Sequence, residues 1–162
     1  MFDGQERHVA TLEIRVDDLS SQDVRALVAA HLDGMHSSSP AEGVHALGID
    51  ALAGDGVTVW SAWIGGELAG IGAAKDLDSE RAELKSMRVD DGFLGKGVGR
   101  AILRHIMTDA AARGIRSLWL ETGTTPDFDP ARRLYESEGF TYCGPFADYV
   151  EDPFSVFMTR TI

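Results

Sequence analysis

The sequence predicts an α/β protein, a mixed sheet with helices on both faces, and three observations predict it. Short stretches alternate apolar and polar residues with period two, as where Leu12, Ile14 and Val16 interleave with Glu13 and Arg15. Between Val98 and Ala110 the period changes to 3.6, with Val98, Ile102, Leu103, Ile106, Met107 and Ala110 on one helical face. The order read along the chain is β-α-(α)-β-β-β-α-β-α-β-β, with several strands before the long helix, which suits one sheet covered from both sides. At 162 residues the chain is read as one domain, 1–162, long enough to bury a core.

Each element has its own signal. Met1–Ala10 is expected to be frayed, and Leu12–Val16 is an amphipathic strand. Ser20 or Ser21 caps a helix with Asp23 in its first turn and Val24, Leu27 and Val28 as its buried stripe, and this helix is expected to fray near His31 to Gly34. A Ser/Pro/Gly-rich stretch follows, with a short helical patch at Val44–Leu47; its His36 and His45 are either solvated or line a substrate mouth. Val57–Ile64 and Glu67–Lys75 form a hairpin across the tight two-residue turn Gly65-Gly66. Arg81–Val89 is a third strand whose parity slips between Leu84 and the pair Met87 and Val89, as a β-bulge produces. Arg113 and Gly114 close the long helix with a cation and a glycine able to take a left-handed cap. Ser117–Glu121 is a short strand, Pro130 opens a helix that ends at Gly139, and Thr141–Cys143 and Ser155–Thr159 are the last strands.

The stretch Met87–Met107 carries the clearest chemistry. A strand breaks at Asp90-Asp91-Gly92, and Gly95-Lys96-Gly97-Val98-Gly99-Arg100 hands over to the helix N-terminus. Glycine lets backbone approach a ligand closely, first-turn N–H groups lack helical partners, and the dipole end is positive, so the stretch forms a phosphate cradle with Lys96 and Arg100 adding charge. It is neither of the common nucleotide loops. The string Gly-x-x-x-x-Gly-Lys-Ser/Thr does not occur, and the third glycine of Gly-x-Gly-x-x-Gly is replaced by Arg100.

This loop resembles the acyl-CoA pyrophosphate loop of the GCN5-related N-acetyltransferases, the GNAT superfamily. The family pattern Arg/Gln-x-x-Gly-x-Gly/Ala falls on Leu94-Gly95-Lys96-Gly97-Val98-Gly99, with Leu94 in place of Arg or Gln. A second family motif, Asn-x-x-Ala-x-x-Leu-Tyr-x-x-x-Gly-Phe, is met by Ala131, Leu134, Tyr135, Gly139 and Phe140, with Phe128 at the Asn position. The first strand region and the ending PFADYVEDPFSVFM look like a bacterial subgroup whose acceptors are mostly unassigned. The resemblance covers most of the chain and implies a single GNAT domain. It also implies a mostly antiparallel sheet with a bulged central strand, acetyl-CoA as co-substrate, and N-acetyl transfer to a primary amine of a small molecule, with a protein N-terminus or lysine as the alternative acceptor.

It implies site residues as well. Acetyl transfer from a thioester needs a neutral amine, a polarised carbonyl, a protonated leaving thiolate and fixed alignment. Glu121, at the end of the strand after the long helix, is the first candidate base and Glu83 the second. Backbone amides of Met87, Arg88 and Val89 at the bulge would grip the pantetheine arm and polarise the carbonyl. The loop Leu94–Arg100 would hold the pyrophosphate, and Tyr135 matches the family tyrosine that protonates the thiolate. Each has a plainer reading, the glutamates as solvated strand ends and Tyr135 as a packed amphipathic residue. A catalytically silent acyl-CoA-binding module would keep the loop and dispense with the base and Tyr135.

Bulk properties narrow the partners. Net charge −11 disfavours nucleic acid and anionic membranes and is compatible with a cationic amine. The single Cys143 excludes an internal disulfide and a thiolate metal site, and its strand pattern is that of a packed residue. No charged-then-apolar leader and no apolar run near ~18 residues occurs, so a cytoplasmic location is expected, with a homodimer admitted.

Overall fold

A computed structural model describes residues 11–38 and 48–162. Seven strands form one sheet in the order β1-β2-β3-β4-β5-β7-β6. They are β1 (Leu12–Val16), β2 (Val57–Ile64), β3 (Glu67–Asp76), β4 (Arg81–Val89), β5 (Ser117–Gly123), β6 (Thr141–Cys143) and β7 (Ser155–Thr161). Every pairing is antiparallel except β4 with β5, which run parallel. Helices α1 (Gln22–Ser38) and α2 (Ile49–Leu52) cover one face; α3 (Val98–Ala112) and α4 (Asp129–Ser137) cover the other. Among the described residues no helix is long and apolar enough to cross a membrane.

Local chemistry explains the boundaries. Ser21 Oγ accepts from the Val24 N–H at 3.2 Å and caps α1. That helix does not fray at His31 but continues to Ser38, and Val24, Leu27 and Val28 dock its first half on the sheet beside Ile71 and Ala73. The Val44–Leu47 patch and His45 lie outside the described residues, as does the side chain of His36. Gly65 and Gly66 take φ 58° and 84°, the left-handed pair a type I′ hairpin turn requires. Gly114 (φ 93°) ends α3: its N–H reaches Ala111 O and the Ile115 N–H reaches Ala110 O, the paired bonds of a Schellman cap.

The bulge is present in β4. Ile71 pairs with Arg88 and Ala73 with Lys85, so two steps on β3 oppose three on β4. Ser86 absorbs the extra residue at φ 56°. The bulge restores the hydrophobic register: Leu84, Met87 and Val89 all pack in the core under α3, with Ile102, Leu103 and Ile106. Without it, Met87 and Val89 would turn to the opposite face.

Candidate active site

β4 and β5 pair only from Arg81↔Ser117 to Glu83↔Trp119. Beyond that, β4 stays with β3 to Val89 and β5 stays with β7 to Gly123, so the two parallel strands splay apart. The splay opens a passage through the sheet. Glu83, Lys85, Ser86, Met87, Glu121 and Tyr135 line it, together with His31 from α1 and Phe128 and Ala131 from the α4 side.

The two sides of the passage differ because strand residues alternate. Leu118 and Leu120 join the core under α3, so Trp119 and Glu121 face the α1 side, as do their neighbours Glu83 and Lys85. Tyr135 comes from α4 on the opposite side, packed against Phe140 with ring centres 5.7 Å apart. Burial pushes its phenol well above the usual range, so the hydroxyl keeps its proton throughout ordinary pH. The splay therefore brings Glu83, Glu121 and Tyr135 to one cleft.

The two glutamates sit in different surroundings. Glu83 Oε2 accepts from the Tyr149 hydroxyl at 2.5 Å and from Lys85 Nζ at 3.1 Å, and Lys85 also donates to the Tyr149 oxygen at 2.9 Å. The Glu83 and Lys85 side chains are only 5% and 9% exposed. Burial, and then the Glu83 hydrogen bond, push Tyr149 far above the ordinary phenol range, so it serves as a donor. Glu121 accepts from Ser155 Oγ at 2.7 Å, a hydroxyl that can rotate and share its proton.

Lys85, Tyr149, Ser155 and His31 were not among the sequence candidates. Tyr149 lies between β6 and β7, where Phe146 and Phe157 pin it at ring distances of 5.1 and 5.5 Å, a contact no local pattern announces. His31 did carry a signal, for it extends the stripe Val24, Leu27, Val28 by one turn. Burial, with the charge of Arg88, pushes its imidazole down to about 4, so it is neutral. Its Nδ1 and the Ser86 hydroxyl are two of three buried side-chain polar atoms without a partner among the described residues, and both residues line the passage.

The glycine loop lies at one end of this arrangement. Asp90 Oδ2 accepts from the Gly92 N–H at 3.0 Å and turns the chain after β4. Leu94 is 61% exposed and Lys96 is exposed, while Gly95 and Gly97 take φ 76° and 81°. A Cβ at either glycine would meet no heavy atom within 4 Å, so the backbone is open to a ligand. Gly97 caps α3 with no side-chain cap, leaving first-turn amides to an anion. Gly99 differs: a Cβ there would lie 3.4 Å from Leu134 and 3.5 Å from Val89, in ordinary contact, so this position faces α4 and β4 and not the open cradle. Arg100 reaches the Ser137 hydroxyl at 3.0 Å and pairs with Glu138, which Arg104 holds at 2.9 and 3.0 Å. The Arg104 hydrogen bond, with Arg100 beside it, keeps the Glu138 carboxyl below the usual range. Arg100 thus ties α3 to α4.

Phe128 accounts for one departure from the family pattern. Its ring fills the space a Cβ would need at Gly123, 2.2 Å from that position, and so walls the α4 side of the passage. Among the described residues no group of three or more His, Cys, Asp or Glu is placed to hold a metal ion.

Known proteins match both the chain and the fold. The sequence profile described as Acetyltransferase (GNAT) family covers residues 24–140. The uncharacterized N-acetyltransferase YsnE of Bacillus subtilis (strain 168) is 52% identical over 151 residues, 93% of this chain and 100% of its own. The uncharacterized N-acetyltransferase YedL of Escherichia coli (strain K12) is 48% identical, over 92% of this chain and 94% of its own. A GNAT family acetyltransferase from Elizabethkingia anophelis, solved with acetyl-CoA bound, has the same fold at TM-score 0.69 and 16% identity, over 93% of this chain and 98% of its own. With a family profile over most of the chain and two N-acetyltransferases near half identical along nearly its whole length, the chain belongs to the GNAT family of acetyltransferases.

Proposed function

We propose that the protein transfers the acetyl group of acetyl-CoA to a primary amine by direct attack within one ternary complex. The observation that carries this reading is the passage through the sheet, with carboxylates on the α1 side and a protonated phenol on the α4 side. The open backbone at Gly95 and Gly97 and the uncapped start of α3 fit the pyrophosphate of the donor. The bulge at Ser86 fits a pantetheine arm and a thioester carbonyl laid along Met87–Val89, and a protein of the same fold has been solved with acetyl-CoA bound.

In this reading the amine nitrogen attacks the thioester carbon, the N–C bond forms and the C–S bond breaks. One proton passes from the amine to Glu121 and one from Tyr135 to the departing sulfur. Glu121 is favoured over Glu83 as base because both protein donors on Glu83 converge on one oxygen and hold that side chain in a sealed ion pair. Glu83 then positions Tyr149 and Lys85. The acceptor is a small molecule in this reading, since the α1-side opening is roofed by α1 and by the segment carrying Phe146 and Tyr149.

The test is thiol release from acetyl-CoA with an amine library, with acetyl-CoA binding followed by calorimetry. Binding with amine-dependent thiol release is expected. Binding without transfer to any amine, peptides included, would make the protein a silent acyl-CoA-binding module.

A further inference from the structure

The α1 side of the passage is not acidic, although the protein is. The chain carries 26 acidic and 15 basic residues, net charge −11. Yet β4 turns Glu83 and Lys85 into the passage and Arg88, one step beyond its lining, to the same face, while β5 turns Glu121 there, so these two strands offer two carboxylates and two cations. A site for a simple ammonium gains from a negative field, and this chain has acidic residues in surplus to make one. Its neutrality here points to an acceptor that carries both signs.

Arg88 is the telling residue. It pairs in register with Ile71, which is buried in the cluster beneath α1, so the guanidinium projects to the α1 side while Met87 and Val89 pack toward α3. It is half-buried, and no ion pair or hydrogen bond holds it among the described residues. Arg100, Arg104 and Arg113, by contrast, are each paired with a carboxylate. Arg88 lies close enough to His31 for its charge to act on the imidazole, and the buried Nδ1 of His31 lacks a partner. A guanidinium fork and a neutral imidazole N–H beside it form a donor set matched to a carboxylate.

We infer that the acceptor is an amine that also bears a carboxylate, of the α-amino-acid class, with Arg88 and His31 receiving the carboxylate and Glu121 facing the amine. This rests on the acetyl-transfer reading above. Lys85 adds no competing anchor, since Glu83 and Tyr149 already hold it. Arg88 and His31 act by fixing the acceptor, and the reacting atoms remain those of the amine and the thioester.

The test compares the standard L-amino acids with their carboxamides and their decarboxylated amines as acceptors, measuring thiol release from acetyl-CoA. The best acid is expected to exceed its own carboxamide in kcat/KM by roughly 10²-fold, as for a lost charged anchor. Arg88→Gln should cut that acid-to-amide ratio about 10-fold, mainly through KM, with Arg88→Lys restoring part of it and His31→Gln giving a smaller loss. Carboxamides or plain amines accepted as well as the acids would overturn the inference, as would an Arg88→Gln variant that slows all three classes alike. Acetyl-CoA binding with no member of the panel acetylated would overturn it too, while leaving acetyl transfer standing. Failure to bind acetyl-CoA would remove both.

Discussion

The loop before α3 offers a ligand backbone, whereas the α1 side of the passage offers side chains drawn from α1, β4, β5, β7 and the segment before β7. The loop needs only Gly95 and Gly97 at left-handed φ and the unpaired amides of one helix start, all within a few residues. The α1 side needs Tyr149 to reach Glu83, 66 residues away in sequence, and Ser155 to reach Glu121, 34 residues away. A backbone cradle serves any acyl-CoA, so it can be generic. Side chains converging from distant elements can be changed one at a time, so in the proposed reaction acceptor choice falls to that side.

Substitutions that act on one region and spare the other sharpen this contrast. The largest effect is expected from Gly97→Val. The position demands φ 81° and opens on the cradle, so a branched side chain strains the turn by about 1–2 kcal/mol and fills the anion site. Acetyl-CoA affinity should fall by roughly 10²-fold or more in calorimetry; binding at the wild-type level would break the assignment of the loop. Glu121→Gln is the counterpart on the α1 side. It should lower kcat/KM at neutral pH by roughly 10²-fold with acetyl-CoA binding intact. Glu83→Gln should chiefly lower the melting temperature, because it unpairs the buried Lys85; if it is Glu83→Gln that removes the rate, the base is Glu83.

Tyr135→Phe stands between the regions. The ring and its packing on Phe140 remain, and only the proton donor is lost. Turnover should fall roughly 10-fold or more, and less with an acyl donor whose thiol is more acidic, since that thiolate departs unaided. Full activity would return the tyrosine to packing alone.

His31 gives the α1 side a pH signature that the loop lacks. Its folded value, about 4, lies below the 6.5 of the unfolded chain. The unfolded chain therefore binds a proton as pH falls through 6.5 while the folded one does not until about 4, so the stability from neutral His31 is complete above 6.5 and is lost on acidification. Between pH 7 and pH 5 the wild type should lose about 1–2 kcal/mol more than His31→Gln in denaturant unfolding. Parallel losses would mean the imidazole is solvated. The smallest effect is expected from Lys96→Ala, an exposed cation beside a backbone site, at under about 1 kcal/mol in acetyl-CoA binding. A larger loss would mean the loop grips by charge and not by backbone.

The sequence by itself determined whatever depends on neighbours along the chain. Alternation placed the strands, the 3.6 period placed α3, and glycine spacing marked the loop, because each follows from backbone sterics and one buried face. Even the bulge was legible, since one inserted residue flips parity and the apolar residues must return to the core. Helix α1 outran its sequence signal by four residues past Gly34. Only the tertiary structure decided that Arg100 ties α3 to α4 and that Gly99 faces Leu134 and Val89 and not the open cradle. It alone separated Glu83 from Glu121 by bringing Tyr149 to one and Ser155 to the other. A side chain's role in such a site is set by what folds against it, and that contact has no period to read.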